Sequence, residues 1–491
     1  MIERNLVMRQ VRFGVMCVAT LVLVTTGWVV RAQEESGDAG TSRRIAIFGS
    51  SVANGRADEL EQGGYAGRLQ TLLGPRGWEV VNVSRGGDST TRIRSRFRPE
   101  GEPDPNVRYL TTAKPGYAVL GLSLGNEGVR SCNGSVDDRC AKTRADAEQV
   151  FERYAEGMRW FVAESRAAGI APVIALCYAR ADFWPADYAY LRRMNLLINA
   201  MDVPSVNLLG AIDDGAGRWA QGFFPDTNHP NAAGHEEIVH AFVPTLFEAL
   251  EAGKPRPVKS TATTFARVRG ADPMPLVFVP EDRIRSFALS FRVRTMGDGT
   301  VAGVGGQTLD GRMEWRTQQI GDKAVEFEAM TLMPSERFQA AVSVRDGRWV
   351  YSAANGTVVV SPPAAAPGPW HYVTVSHYVA RGETLFYVDG ALIGTVAERL
   401  EPDRFVLGGQ GPDGPSAAPA QADYQEWTVH RAALNGDEVA ALHAGTLLQA
   451  SLEVYAPLAD AQMTVGQTLE NRAQSLSTVK VNAASVSSTQ N

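Results

Sequence analysis

Ile45-Ala46-Ile47-Phe48-Gly49-Ser50-Ser51 is the stretch on which the reading of the first half of the chain turns. Four consecutive apolar residues suit a short strand covered on both faces, and Gly-Ser-Ser stands where that strand would end. Outward from it, comparable runs recur at residues 79–83, 117–122, 173–178 and 206–209. Helical stretches lie between them. Val150, Phe151, Tyr154, Met158, Phe161 and Val162 recur at helical spacing, and Gly169 stands where a C-cap would. This alternation, from residue 44 to about 252, predicts an open parallel sheet with helices on both faces.

Beyond Gly253-Lys254-Pro255-Arg256-Pro257 the helical periodicity gives way to strand-like runs at 286–293, 341–344, 371–375 and 385–388. Asp389-Gly390, set between two such runs, is a hairpin signal. Many short strands punctuated by Gly, Pro and Asp predict an all-β sandwich. The chain therefore divides into a targeting segment (1–32), an α/β domain (41–252), a linker (253–262), a sandwich (263–478) and a Ser-, Asn- and Ala-rich tail (479–491) expected to fray. One amphipathic helix is expected over 234–250.

The 491 residues carry 48 Lys+Arg against 54 Asp+Glu, a formal charge of −6, with 44% hydrophobic residues. This is ordinary globular composition, with chain enough for several cores and no basic footprint for nucleic acid. Four cysteines are too few for a disulfide scaffold. Arg9 and Arg12 precede an uncharged, mostly apolar run over 13–30, and Val30-Arg31-Ala32 offers a cleavage position. That is the pattern of a secretory signal peptide; an uncleaved membrane anchor is the competing reading. Export would place the protein, secreted or periplasmic, where disulfides persist.

Four segments of the α/β region carry candidate chemistry. Gly49-Ser50-Ser51 follows the first strand, where a nucleophile can be presented, although Gly and Ser also mark a plain turn. Residues 82–88 follow the second strand, and Gly87 lets a backbone N–H approach a substrate oxygen. In Gly125-Asn126-Glu127-Gly128 the uncharged amide of Asn126 suits a developing oxyanion. In Asp226-Thr227-Asn228-His229-Pro230 a carboxylate three residues before an imidazole can bond its Nδ1–H and leave Nε2 free to take a proton. His235 and His240 read as surface or core-satisfied residues. Asp226 with His229 lacks a third clear metal ligand.

The order of these four segments resembles the SGNH hydrolases, also called GDSL-type esterases, over about residues 44–252. The resemblance implies a three-layer, flavodoxin-like α/β fold. It makes Ser51 the nucleophile, His229 the general base and Asp226 its orienter. It also implies that the N–H groups of Ser51 and Gly87 and the side chain of Asn126 form the oxyanion hole. Ser51 would attack an ester carbonyl to form an acyl-enzyme, with no metal or organic cofactor. Two departures stand out: Ser50 replaces the family's Asp and is a rival nucleophile, and Glu127 replaces the Asp expected after Asn126.

Cys132 and Cys140 lie on a polar loop after the third segment, and an exported chain would pair them as a disulfide. Cys177 reads as a buried hydrophobe. Residues 369–375, 385–390, 405–409 and 423–434, with a short helix from Gly436 to His443, resemble a laminin-G-like or concanavalin-A-like jelly roll. That likeness implies polysaccharide binding or simple packing against the enzyme. Trp315, Trp349 and Trp370 could stack on sugars or fill the core. The expectation is an exported serine esterase acting on O-acylated carbohydrate or another small ester. Its alternatives are a catalytically dead carbohydrate-binding protein and a lipase or thioesterase acting on acyl chains. The α/β domain, complete in its catalytic segments, is expected to hydrolyse small esters without the sandwich.

Overall fold

Strand β1 (Arg44–Gly49) pairs in parallel with β2 (Glu79–Asn82) on one side and β3 (Tyr117–Gly121) on the other, Ile45 lying opposite Val80 and Tyr117. The computed structural model describes residues 42–129, 146–270, 272, 274–320, 323–363, 368–409, 419–460 and 462–490. With β4 (Ala171–Ala175) and β5 (Ser205–Val206) the sheet runs β2-β1-β3-β4-β5, all parallel. This is the flavodoxin-like order, which reverses direction between β1 and β3 and opens a crevice at their carboxyl ends. β1, β3, β4 and β5 are almost wholly buried, as the near-continuous apolar runs require, whereas the edge strand β2 is only half-buried.

Helices cover both faces: α1 (Gly64–Leu73), the single turn α2 (Leu124–Glu127), α3 (Ala147–Ala167), α4 (Pro185–Ala200), α5 (Leu209–Ile212), α6 (Ala232–His240) and α7 (Leu246–Glu251). α3 buries Val150, Phe151, Tyr154, Met158 and Phe161, the residues whose spacing predicts it. The single helix expected over 234–250 is two. Pro244 has no N–H to donate and disfavours helical backbone at Val243, so the chain breaks between α6 and α7.

The second half packs two antiparallel sheets. One runs β12 (Val358–Val360), β11 (Arg348–Ser352), β10 (Lys323–Arg345), β9 (Gly299–Ile320), β16 (Leu400–Leu407), β7 (Leu276–Phe278), β20 (Val479–Val481), β19 (Thr468–Leu469). The other runs β15 (Ala391–Ala397), β14 (Glu383–Val388), β13 (His371–Tyr378), β8 (Phe287–Thr295), β17 (Ala422–His430), β6 (Thr264–Val268), β21 (Val486–Gln490), with β18 (Leu452–Ala456) also on β17. Phe278, Phe287, Phe291, Phe405, Trp349 and Trp427 fill the space between them. Asp389 and Gly390 have φ of 51° and 79°, the left-handed pair that a two-residue hairpin turn needs. Helix α8 (Gly436–His443) lies where the sequence predicts it, N-capped by Asn435.

Two features depart from the expectation. The tail is not frayed: β20 pairs with β7 and β21 with β6. β9 and β10 pair as one long ribbon from Gly299 and Val344 to Ile320 and Lys323. The halves also share an interior. Met330, Ala380, Ala432 and Ala450 of the second half belong to the apolar core of the first. Arg285 pairs with buried Glu237 at 2.8 Å, Ser451 N–H donates to Ser205 C=O at 3.1 Å, and Asn199 Oδ1 accepts the N–H of Gln449 and Ala450. The described residues from 42 onward form one compact unit.

Candidate active site

The crevice at the carboxyl ends of β1 and β3 holds a cavity of about 580 Å³. Ser50, Ser51, Gly87, Asn126, Tyr178 and His229 are among the residues that line it. Four sequence segments separated by up to 178 residues, from Ser51 to His229, thus reach one cavity because each lies beyond a strand end or on the loop before α6.

Asp226 lies behind His229. Its Oδ1 accepts the N–H of Asn228 at 2.7 Å and of His229 at 3.0 Å, which folds the loop back on itself. Oδ2 then meets His229 Nδ1 at 2.8 Å. Burial pushes the Asp226 carboxyl up, but the hydrogen bonds and charge of His229, with the two backbone N–H groups, outweigh it and hold it below the ordinary carboxylate range. An ionised carboxylate there keeps the proton on Nδ1 and leaves the Nε2 lone pair toward the cavity.

The two serines differ. Ser50 is fully buried, and its Oγ has no partner among the described residues. Ser51 is half-buried on the cavity wall, with its Cβ facing the Gly86–Gly87 turn. At Gly87 φ is +83°, a conformation that a side chain would strain, and Arg92 Nη1 holds its carbonyl at 2.8 Å. The Asn126 Oδ1 accepts Ser123 N–H at 2.9 Å and Tyr178 O–H at 2.8 Å. With its oxygen held by two donors, the amide turns its Nδ2 hydrogens the other way, toward the cavity that Asn126 lines.

Glu127, the departure from the family pattern, is a brace. Its Oε2 accepts Thr90 N–H at 2.8 Å and its Oε1 accepts Arg153 Nε at 2.9 Å, tying the Gly87 loop to α3. Beneath that loop, buried Asp88 accepts Arg96 Nε at 2.6 Å, and Arg96 Nη1 donates to the carbonyls of Val83 and Arg108. His235 is core-satisfied: its Nδ1 accepts Tyr65 N–H, and burial pushes its pKa down to about 4. His240 is held neutral the same way. Cys177 is buried and reduced, its thiol pushed up to about 12 by burial.

The sequence reading misses Tyr178, Arg92, Arg153 and Arg180 as cavity residues. Tyr178 and Arg180 had a signal, since both follow a strand's carboxyl end; the other two lie on α3 and in the loop after Gly87 without one. Cys132 and Cys140 lie outside the described residues, as does the amino-terminal segment. Among the described residues no group of three or more His, Cys, Asp or Glu is arranged to hold a metal, and no helix is long and apolar enough to cross a membrane.

Residues 47–237 match the sequence model of the GDSL-like lipase/acylhydrolase family. No curated protein sequence matches the chain. Similar solved structures include a candidate carbohydrate-binding protein from Bacteroides ovatus, at 12% identity and a TM-score of 0.33 over 48% of this chain and 61% of that one. A candidate acylhydrolase from Bacteroides fragilis is 13% identical, with a TM-score of 0.30 over 48% of this chain and 99% of its own. An acetylxylan esterase from Geobacillus stearothermophilus is 14% identical, with a TM-score of 0.30 over 41% of this chain and 93% of its own. The family match carries the assignment: residues 47–237 form a GDSL-like lipase/acylhydrolase domain, a hydrolase of ester bonds.

Proposed function

We propose that this protein is an exported serine esterase that removes short acyl groups from a hydrophilic substrate, O-acylated carbohydrate being the class that fits. The observation that carries the reading is the Asp226–His229 pair opening onto the same cavity as Ser51, Gly87 and Asn126. In this mechanism Ser51 Oγ attacks the ester carbonyl and gives its proton to His229 Nε2. The oxyanion is met by the N–H groups of Ser51 and Gly87 and by the Asn126 amide. His229 then protonates the leaving alcohol and activates the water that releases the acyl group. Val52 and the ring of Tyr178 are the large apolar groups among the described lining, beside Ser, Thr, Asn, Arg and Glu side chains. Such a wall favours an acetyl group over a long acyl chain.

The test is Ser51→Ala in the full-length chain. It should lower p-nitrophenyl acetate hydrolysis on the order of 10⁴-fold or more and remove labelling by a fluorophosphonate probe, with the fold unchanged. Full activity in Ser51→Ala together with an inactive Ser50→Ala would transfer the nucleophile to Ser50. A wild-type protein that neither hydrolyses nor labels would be a dead scaffold. Rates that rise from acetate to octanoate esters would point to acyl-chain substrates instead.

A further inference from the structure

The β9–β10 ribbon of the sandwich reaches the loop that carries Asp226 and His229. That loop runs from Gly222, after Trp219-Ala220-Gln221, to Ala232 at the start of α6. At its start, the Gly222 carbonyl accepts Met330 N–H from β10 at 2.8 Å and Asn231 Nδ2 at 2.9 Å. Gly222 has a φ of +87°, and a Cβ there would fall 2.8 Å from Met313 Sδ and 3.0 Å from Met330 Cβ. Ribbon and loop therefore meet backbone to backbone. At the loop's end, Ala232 N–H donates to Glu59 Oε2 at 2.7 Å, and Arg316 of β9 donates to the other Glu59 oxygen at 2.8 Å. The Glu59 side chain is only 4% exposed, and Arg316 is its one ion-pair partner among the described residues. Arg316 is itself steadied by Thr331 Oγ1 at 3.3 Å, which donates to Glu314 at 3.1 Å.

We propose that Arg316, acting through Glu59, is a positioning residue for His229, so that the sandwich completes the esterase site without touching substrate. The proposal rests on the reading of His229 as the general base. Both ends of the segment bearing that base are clamped by one ribbon of the other domain. A base that must stay within hydrogen-bond reach of a serine tolerates little drift, since a displacement of about 1 Å can cost about a hundredfold in rate. Removing Arg316 also leaves the Glu59 carboxylate buried without its cation, which favours rearrangement of the residues that it holds, Ala232 first.

The experiment compares full-length wild type, Arg316→Gln, Arg316→Lys and Glu59→Gln. It reads kcat and KM on p-nitrophenyl acetate, and amide hydrogen exchange over residues 222–232. Arg316→Gln should lower kcat by about tenfold to a hundredfold with KM within about twofold. Exchange over the loop should rise while β1 and β3 stay protected. Arg316→Lys, which can still reach the carboxylate, should recover most of the rate. A folded Arg316→Gln with wild-type kcat overturns the proposal. If that variant loses protection in β1 and β3, Glu59→Gln decides, because it removes the ion pair with Arg316 without leaving an unpaired buried charge. A folded Glu59→Gln with wild-type kcat then overturns it as well. A wild-type protein that does not hydrolyse the ester refutes the esterase reading, and the proposal falls with it; an active wild type with indifferent variants refutes only the role of the ribbon.

Discussion

At the scale of single residues the site depends on how polar atoms are held. The Asn126 amide can serve an oxyanion only while its oxygen is turned away, and two donors do this. Asn126→Ala should lower kcat by about 10²–10³-fold on p-nitrophenyl acetate, the usual cost of one lost donor. Tyr178→Phe removes one of the two donors but leaves the Ser123 N–H, so its loss should be several times smaller, with KM little changed. Ser50 tests the opposite logic. Its buried hydroxyl has no partner among the described residues, so Ser50→Ala should keep activity and raise stability by up to about 1 kcal/mol, read by denaturant melts. Much of this was legible in the sequence where the contact is local. Asp226 and His229 are three residues apart, and the loop closes on itself. The braces were not legible. Nothing in the sequence links Glu127 to the Thr90 N–H or Asp88 to Arg96, because the coiling of the segment after β2 and its placement against α2 set those contacts.

Among elements, those with a buried apolar face or a continuous apolar run were readable and those with neither were not. α3 and β8 show the period of the face they bury, and α8 shows both its cap and its period. The outer half of β9, rich in Gly, Gln, Arg and Glu, lies beyond the sandwich and has no apolar face to alternate with. The carboxyl-terminal strands look like a polar tail because the valines they bury in the sandwich core, Val479, Val481 and Val486, are few and stand among Ser, Asn and Thr. α8 carries a further consequence. Burial pushes the Glu438 carboxyl up to about 8, against hydrogen bonds from Asn435 and Asn207, and Asp213 and Asp437 add like charge. Burial raises Asp213 to about 6 in the same region. Both groups hold a proton more tightly folded than unfolded, so their protonation favours the fold and that contribution is lost as pH rises. For Glu438 the loss extends from about 4.5, its ordinary value, to about 8. The melting temperature should therefore fall between pH 6 and 8, above the range of Asp213. In Glu438→Gln that fall should be flatter, and an identical slope would mean that the carboxyl ionises freely in the fold.

For the whole molecule the sequence marks the boundary but not the dependence across it. The composition changes at residues 253–257, between α7, which ends at Glu251, and β6, which begins at Thr264. Apart from Met330 and Leu332, the residues that join the halves are small or polar and carry no pattern. A Cβ on Gly210 would fall 2.0 Å from the Ala433 carbonyl oxygen, and Asn207 donates across the seam through its N–H to Ser451 Oγ and through Nδ2 to Glu438 Oε1. A chain ending at Lys254 would lose Met330, Ala380, Ala432 and Ala450 from the α/β core. It would also strip Arg285 from buried Glu237 and expose the backbone of β5 that Ser451 satisfies. An uncompensated buried charge alone typically costs about 3–5 kcal/mol, a large part of a domain's stability. Truncation there should therefore leave a protein that melts without a cooperative transition, binds a hydrophobic dye and hydrolyses p-nitrophenyl acetate at least about tenfold more slowly. This reverses what the self-contained order of the catalytic segments suggests. The measurement is a thermal melt beside steady-state kinetics on the same sample. A truncated protein with a sharp transition and full kcat would show that the shared interior is only a docking surface, and it would also count against the clamp on the His229 loop.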